Sequence, residues 1–366
     1  MKNRFLLGFY ALLIITVTAC SGGAVTLNQD TPNNPNPTDE TSIATSLVEP
    51  TAEVSHPAPE PITLKMNSSK LTSYAPIFIA DDEGYFKEEG ITMEYITFNR
   101  STEAIPLIIT GDLDVYAGAL NAGLLNVLGQ ESHIKVVADR GVITPEDTCA
   151  NQGILFRKSL YESGELTSPA DLKGRTIAAA NTGPSGYLLS LYLAQAGLTL
   201  DDVIISDIPS VGYLDAMANG TVDAIVTPEL RLSNVLNGGN AVLAVNGADV
   251  YGYLQSSVLM FGKKLLIDNR EVGLRFLKAY MRGIQQYQEG KTDRNVEIMV
   301  KHTGESEEII RQACWITINN DGQVNFDKGV EPFQQWSVAQ GDLDAPITEE
   351  QFWDPSLLKE ALSQIQ

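Results

Sequence analysis

The sequence predicts an α/β protein of two similar lobes, each built on a mostly parallel, doubly wound sheet. Three observations carry this reading. From Ile62 onward, short apolar runs alternate with amphipathic stretches across short loops, the βαβα rhythm of a parallel sheet. The turn Gly111-Asp112-Leu113-Asp114-Val115 returns as Gly220-Thr221-Val222-Asp223-Ala224-Ile225. In both, glycine ends a helix, one residue turns, and an aspartate precedes a strand. Finally, 366 residues suffice for two domains of ordinary size, and 43% hydrophobic content supports packed cores.

The elements follow in order. Ile62–Met66 reads as a strand, and Pro76–Tyr85 as a helix with an apolar face closed at Glu83-Gly84. Ile91–Phe98 alternates as a strand does. Ser101–Ile109 is a helix stopped by Gly111, and Val115-Tyr116-Ala117 opens the next strand. The second series runs through strand Thr176–Ala180, helix Gly183–Gly197, strand Val203–Ser206, helix Tyr213–Asn219 and strand Ala224–Val226. Val258–Phe261 is a strand able to return the chain to the first lobe. A stripe at near four-residue spacing, Val272, Phe276, Tyr280, Ile284 and Tyr287, predicts a helix behind an Asp268 cap. Val296–Met299, Glu307–Cys314 and Leu357–Ile365 predict three more.

The amino-terminal part is of another kind. Met1-Lys2-Asn3-Arg4 is a basic head, and Phe5–Val17 is an apolar run without charge, shorter than the ~20 residues a spanning helix needs. Residues 1–19 therefore read as a secretory signal. Val17-Thr18-Ala19-Cys20 resembles the lipobox of bacterial lipoproteins, which implies cleavage before Cys20 and a lipid on its sulfur. Residues 20–61 read as a disordered linker: from Ala24 to Pro61 there are seven of the 17 prolines and no Lys or Arg. Such a coil reaches roughly 35 Å.

Charge and metal-ligand chemistry exclude several classes. With 46 Asp and Glu against 25 Lys and Arg, the net charge is −21, which repels phosphate backbones; no nucleic-acid partner is expected, and a soluble monomer is. His56, His133 and His302 are scattered without ligand spacing, so no metal site is expected. Cys149 and Cys314 remain once Cys20 is lipidated. Spacing leaves open whether they form a disulfide or stay as two buried thiols.

Ala75-Pro76-Ile77-Phe78-Ile79-Ala80 followed by Glu83-Gly84-Tyr85-Phe86-Lys87-Glu88-Glu89-Gly90-Ile91 resembles the opening of ABC-transporter substrate-binding proteins. The similar group handles sulfonates, taurine, nitrate, riboflavin and thiamine precursors. Asp171-Leu172-Lys173-Gly174-Arg175-Thr176-Ile177 is similar to that family's entry to its second lobe. The two aspartate turns and the tail Thr317–Asn325 fit as well. The resemblance implies the two-lobed periplasmic-binding-protein type II fold, its lobes joined by two crossing strands and closing on a ligand between them. It places lobe one at 62–152 plus 256–366 and lobe two at 153–255. It also implies a membrane permease with a cytoplasmic ATPase as partner.

Loops at the carboxyl ends of parallel strands are where such folds bind ligands. The best candidate is Asn181-Thr182-Gly183-Pro184-Ser185-Gly186-Tyr187, where Thr182, Gly183 and Ser185 offer free N–H groups and hydroxyls at a helix start and Tyr187 a ring. Equivalent loops hold Tyr74, Asn99 with Arg100, and Asn121 in lobe one, and Tyr213 and Glu229 in lobe two. Arg100 is the one base among these loops, whereas Tyr74, Phe98, Tyr187, Tyr213 and Trp315 supply aromatic faces. That balance favours a flat nitrogen heterocycle, riboflavin or a thiamine-type pyrimidine, over a sulfonate, taurine or nitrate. No cofactor is expected. An enzyme on the same fold and a sensory lipoprotein are the rivals; the cysteine-rich motif of pyrimidine-synthesising relatives is missing, and no Ser/His/Asp or Cys/His set replaces it.

Overall fold

A computed structural model describes residues 60–98, 101–130 and 133–365. The expected signal, Cys20, most of the expected linker, and Asn99 with Arg100 lie outside them. Alternation buries Leu64 and Met66 completely and makes Ile62–Ser68 the strand β1. β2 (Ile91–Thr97), β3 (Val115–Ala119) and β4 (Lys135–Ile143) follow in the same half. The second half contributes β5 (Gln152–Arg157), β6 (Thr176–Ala178), β7 (Ile204–Ser206), β8 (Ala224–Pro228) and β9 (Ala241–Asn246). β10 (Leu254–Phe261) then rejoins the first half.

Two five-stranded sheets result, ordered β2-β1-β3-β10-β4 and β7-β6-β8-β5-β9. In the first, β10 alone runs antiparallel to its neighbours β3 and β4; in the second, β5 alone runs antiparallel to β8 and β9. Each odd strand is the first one laid down after the chain crosses from the other sheet, through residues 144–151 or 247–253. The expected mixed α/β architecture with mostly parallel sheets is present in both lobes.

The repeated aspartate turns show why the lobes share a plan. Gly111 and Gly220 both end helices at positive φ, 83° and 75°. Asp114 then brackets Lys65 of β1: its N–H donates to the Lys65 carbonyl (2.9 Å) and its carboxylate accepts from the Lys65 N–H (2.8 Å). Asp223 does the same to Thr176 of β6, at 2.7 and 3.0 Å. The carboxylates also meet a base at the end of the odd strand, Lys264 after β10 (2.6 Å) and Arg157 closing β5 (2.5 Å). One aspartate thus stitches three strands in each lobe.

The helix predicted behind Asp268 runs Arg270–Tyr287 and buries its whole stripe. Asp268 does not cap it; its carboxylate pairs with Lys263, and Asn269 occupies the cap position without a side-chain bond. Cys149 and Cys314 form a disulfide with Cα atoms 5.6 Å apart, which pins the first crossing segment to the start of the carboxyl-terminal tail. Among the described residues no helix is long and apolar enough to cross a membrane, and no cluster of His, Cys, Asp or Glu is placed to hold a metal ion.

Candidate functional site

A cavity of about 320 Å³ lies between the sheets, at the carboxyl ends of the parallel strands. After β1 comes the turn Thr72–Tyr74, and after β3 come Leu120 and Asn121. After β6 come Asn181–Ser185, after β7 Asp207–Ser210, and after β8 Glu229 and Arg231. Asn151, Gln152, Ser256 and Ser257 line it at the crossings. Both lobes thus deliver hydroxyl and amide groups to a wall that also carries apolar side chains such as Phe98, Ile208 and Ile316.

The predicted residues fall into three groups. Thr182, Gly183, Ser185 and Tyr213 line the cavity. The helix Pro184–Ala194 starts at Gly183 without any side-chain cap, but Pro184 brings no N–H and the Gly186 N–H donates to the Ala180 carbonyl at 2.9 Å, so fewer N–H groups face the cavity than the sequence suggested. Ser185 Oγ accepts from Gln152 Nε2 at 2.9 Å, and the Thr182 carbonyl accepts from the Ala122 N–H of the other lobe at 3.2 Å.

Asn121, Tyr74 and Glu229 also line the cavity, but their polar atoms are engaged by the protein. Asn121 caps the helix Ala122–Gln130, accepting from the Leu124 N–H at 2.9 Å. Tyr74 is 1% exposed; its hydroxyl donates to the Ala117 carbonyl (2.6 Å) and accepts from Asn67 Nδ2 (3.0 Å), and burial raises its pKa. The ring face expected to stack on a ligand is covered by the Arg140 guanidinium, 4.3 Å from the centroid. Glu229 accepts from Ser233 Oγ (2.8 Å), the Ser233 N–H (3.0 Å) and the Cys314 N–H (3.2 Å), so it caps one helix and ties the lobes together. Burial raises its pKa despite these donors.

Tyr187 and Trp315 are placed elsewhere. Tyr187 packs with Tyr251, Phe333 and Trp336, ring centroids 5.3–5.8 Å away, because the helical turn after Ser185 points it away from the cavity. Trp315 stacks on Tyr287 at 5.4 Å. The aromatic cleft expected from the sequence therefore reduces, among the described residues, to Phe98 and Tyr213 beside the covered Tyr74.

Two arginines were missed. Arg140 on β4 is 1% exposed, donates from Nη1 to Ser73 Oγ at 2.6 Å, and has no partner for Nε. Arg231 opens the helix Arg231–Asn237. A signal for the first was present: Asp139-Arg140 interrupts the apolar run Ile134–Ile143, and a charge pair inside a buried strand needs a reason. Arg231 stands two residues beyond the predicted Glu229.

The NMT1/THI5 like family model matches residues 71–290, which include every strand but β1 and most residues lining the cavity. The chain belongs to the NMT1/THI5-like family. It is 26% identical over 286 residues to a riboflavin-binding protein of Chloroflexus aurantiacus, covering 78% of this chain and 74% of that one. It is 23% identical over 305 residues to a formylaminopyrimidine-binding protein of Halalkalibacterium halodurans, covering 79% and 85%. Among solved structures, the alkanesulfonate-binding protein of Xanthomonas axonopodis pv. citri, bound to MOPS, superposes with a TM-score of 0.66 at 16% identity, covering 81% of this chain and 99% of that one. The likeness to that structure extends over both lobes of this chain, and the cavity lies between them.

Proposed function

We propose that this NMT1/THI5-like chain is the solute-capturing component of an ABC-type importer, and that its cleft takes a small nitrogen heterocycle of the riboflavin or pyrimidine class. The observation that carries the reading is the cavity itself. It lies between two sheets, receives hydroxyls and amides from both, and is bridged by the Ala122–Thr182 and Cys314–Glu229 hydrogen bonds. Such a site holds a ligand by many directional bonds and needs lobe separation to release it, which suits capture and delivery rather than turnover. The volume supports a molecule larger than nitrate: about 320 Å³ equals roughly ten waters at ~30 Å³ each. The names of the riboflavin- and formylaminopyrimidine-binding relatives support the heterocycle. A sulfonate, taurine or nitrate ion as the whole ligand is the second reading, and the alkanesulfonate-binding neighbour supports it.

Titration calorimetry with riboflavin, a hydroxymethylpyrimidine, taurine and nitrate tests the choice. A heterocycle is expected to bind at micromolar Kd or tighter, with a smaller radius of gyration in small-angle scattering on saturation. Binding confined to taurine or nitrate would sink the heterocycle reading.

On this proposal the partners are a permease and its ATPase, and the monomeric chain works on the outer face of the cell membrane, held by lipid on Cys20. Cys20→Ser is expected to release it from the membrane fraction or leave the precursor uncleaved. Correct cleavage with an unmodified Cys20 sulfur in the wild type would refute the anchor.

A further inference from the structure

A purely neutral ligand would leave the two arginines of the cleft without a counter-charge. Arg140 reaches it from β4 of one lobe, and Arg231 from the helix start after β8 of the other. Arg140 lies 4.3 Å from the Tyr74 ring centroid, Arg231 lines the same cavity, and the charges of both act on the Tyr74 phenol.

Arg140 is 1% exposed and forms no ion pair with a described residue, although a buried cation wants a counter-charge. Its neighbour Asp139 spends its oxygens on Gly141 N–H and Gln255 Nε2, both at 2.7 Å, and on the Asn319 N–H at 2.7 Å. The carboxylates lining the cavity are likewise committed: Glu229 to Ser233 and Cys314, and Asp207 to a partner of its own. Three buried polar atoms of lining residues have no partner: Arg140 Nε, Ser257 Oγ and Thr227 Oγ1. Ser257 is 4% and Thr227 1% exposed, so leaving them unmatched is costly.

We propose that the ligand carries an oxyanion group, a carboxylate, sulfonate or phosphate, held between Arg140 and Arg231 with the hydroxyls of Ser257 and Thr227 as further donors. This rests on the cleft being the ligand site, but not on the ligand being a heterocycle. The group supplies the missing counter-charge, draws one cation from each lobe, and so couples recognition to lobe closure. A heterocycle bearing an acidic substituent satisfies both the amide-rich wall and the arginines.

The test uses the full chain and two measurements. Thermal midpoints are compared in sulfate, phosphate, methanesulfonate and acetate against chloride at equal ionic strength. Affinities are compared for a neutral and an acidic form of one heterocycle, riboflavin and riboflavin 5′-phosphate. At least one oxyanion is expected to raise the midpoint above chloride, and the acidic form to bind about tenfold tighter or more. Arg231→Gln, at the less buried arginine, should remove both effects while shifting the ligand-free midpoint by less than about 3 °C. Arg231→Lys should restore part of them. Ser257→Ala gives a second reading that spares both arginines, and should weaken the oxyanion effect.

No oxyanion-specific rise together with equal or weaker binding of the acidic form would overturn the proposal. So would effects that survive intact in Arg231→Gln. Oxyanion effects without binding of either flavin would uphold it and sink the heterocycle reading instead.

Discussion

Asp139 is the residue whose environment has the clearest consequence in solution. It has no exposed surface, and burial pushes its carboxyl from 3.8 up to about 6, against the hydrogen bonds from Asn319, Gln255 and Gly141 and the charge of Arg140. Between about pH 4 and 6 the folded chain therefore retains a proton that the unfolded chain has released. The contribution to stability is full below pH 4 and is lost as pH rises through 6, a fall of about 2–3 kcal/mol. Chemical denaturation across this range should show that fall in the wild type and not in Asp139→Asn, whatever the variant's absolute stability. Equal slopes in both proteins would mean the carboxylate is better solvated than its burial implies. Tyr74 teaches a related lesson: a ring at the right loop was legible in the sequence, but Arg140 lying on its face was not.

At the scale of elements, the loop between β6 and its helix is shaped by Gly186 rather than by Gly183. A Cβ at Gly186 would overlap the carbonyl oxygen of Asn181, where the Gly186 N–H turns back to the Ala180 carbonyl at 2.9 Å. A Cβ at Gly183 would meet the Leu120 carbonyl at an ordinary 3.5 Å. Gly186→Ala should therefore cost about 1–3 kcal/mol and weaken ligand binding, because Asn181–Ser185 must move. Gly212→Ala, with nothing within 4 Å, is the matched control and should be near neutral. A Gly186→Ala protein as stable and as tight-binding as the control would show that the loop relaxes freely. The aspartate turns make the opposite case. There the element could be read in advance, since a helix-ending glycine and a strand-opening aspartate are local chemistry, and the structure adds only the strands that each carboxylate joins.

For the whole molecule, the disulfide and the ties between lobes matter together. Cys149 and Cys314 stand 165 residues apart, so their link closes a loop that includes the whole second sheet. Replacing both by Ala should lower stability by about 2–5 kcal/mol in denaturant melts. Ligand affinity should fall as well, because the Cys314 N–H that donates to Glu229 sits at the same point. A double variant with unchanged melts would show that packing of the tail, not the link, holds the crossing segment.

What the sequence determined by itself was whatever depends on short range: period-two and near-period-four apolar patterning, helix-ending glycines, and the aspartate turns that mark two like lobes. These set the α/β class and pointed to the strand-end loops as the place for a ligand. Tertiary structure decided the chemistry inside that place. It sent Tyr187 into an aromatic cluster, committed Glu229 and Asn121 to capping, and joined Cys149 to Cys314. It also turned Arg140 and Arg231, from two different lobes, toward one cavity. The physical reason is that a side chain's partners in a cleft come from segments far apart in the chain, and no local pattern encodes which of its polar atoms those partners will leave free.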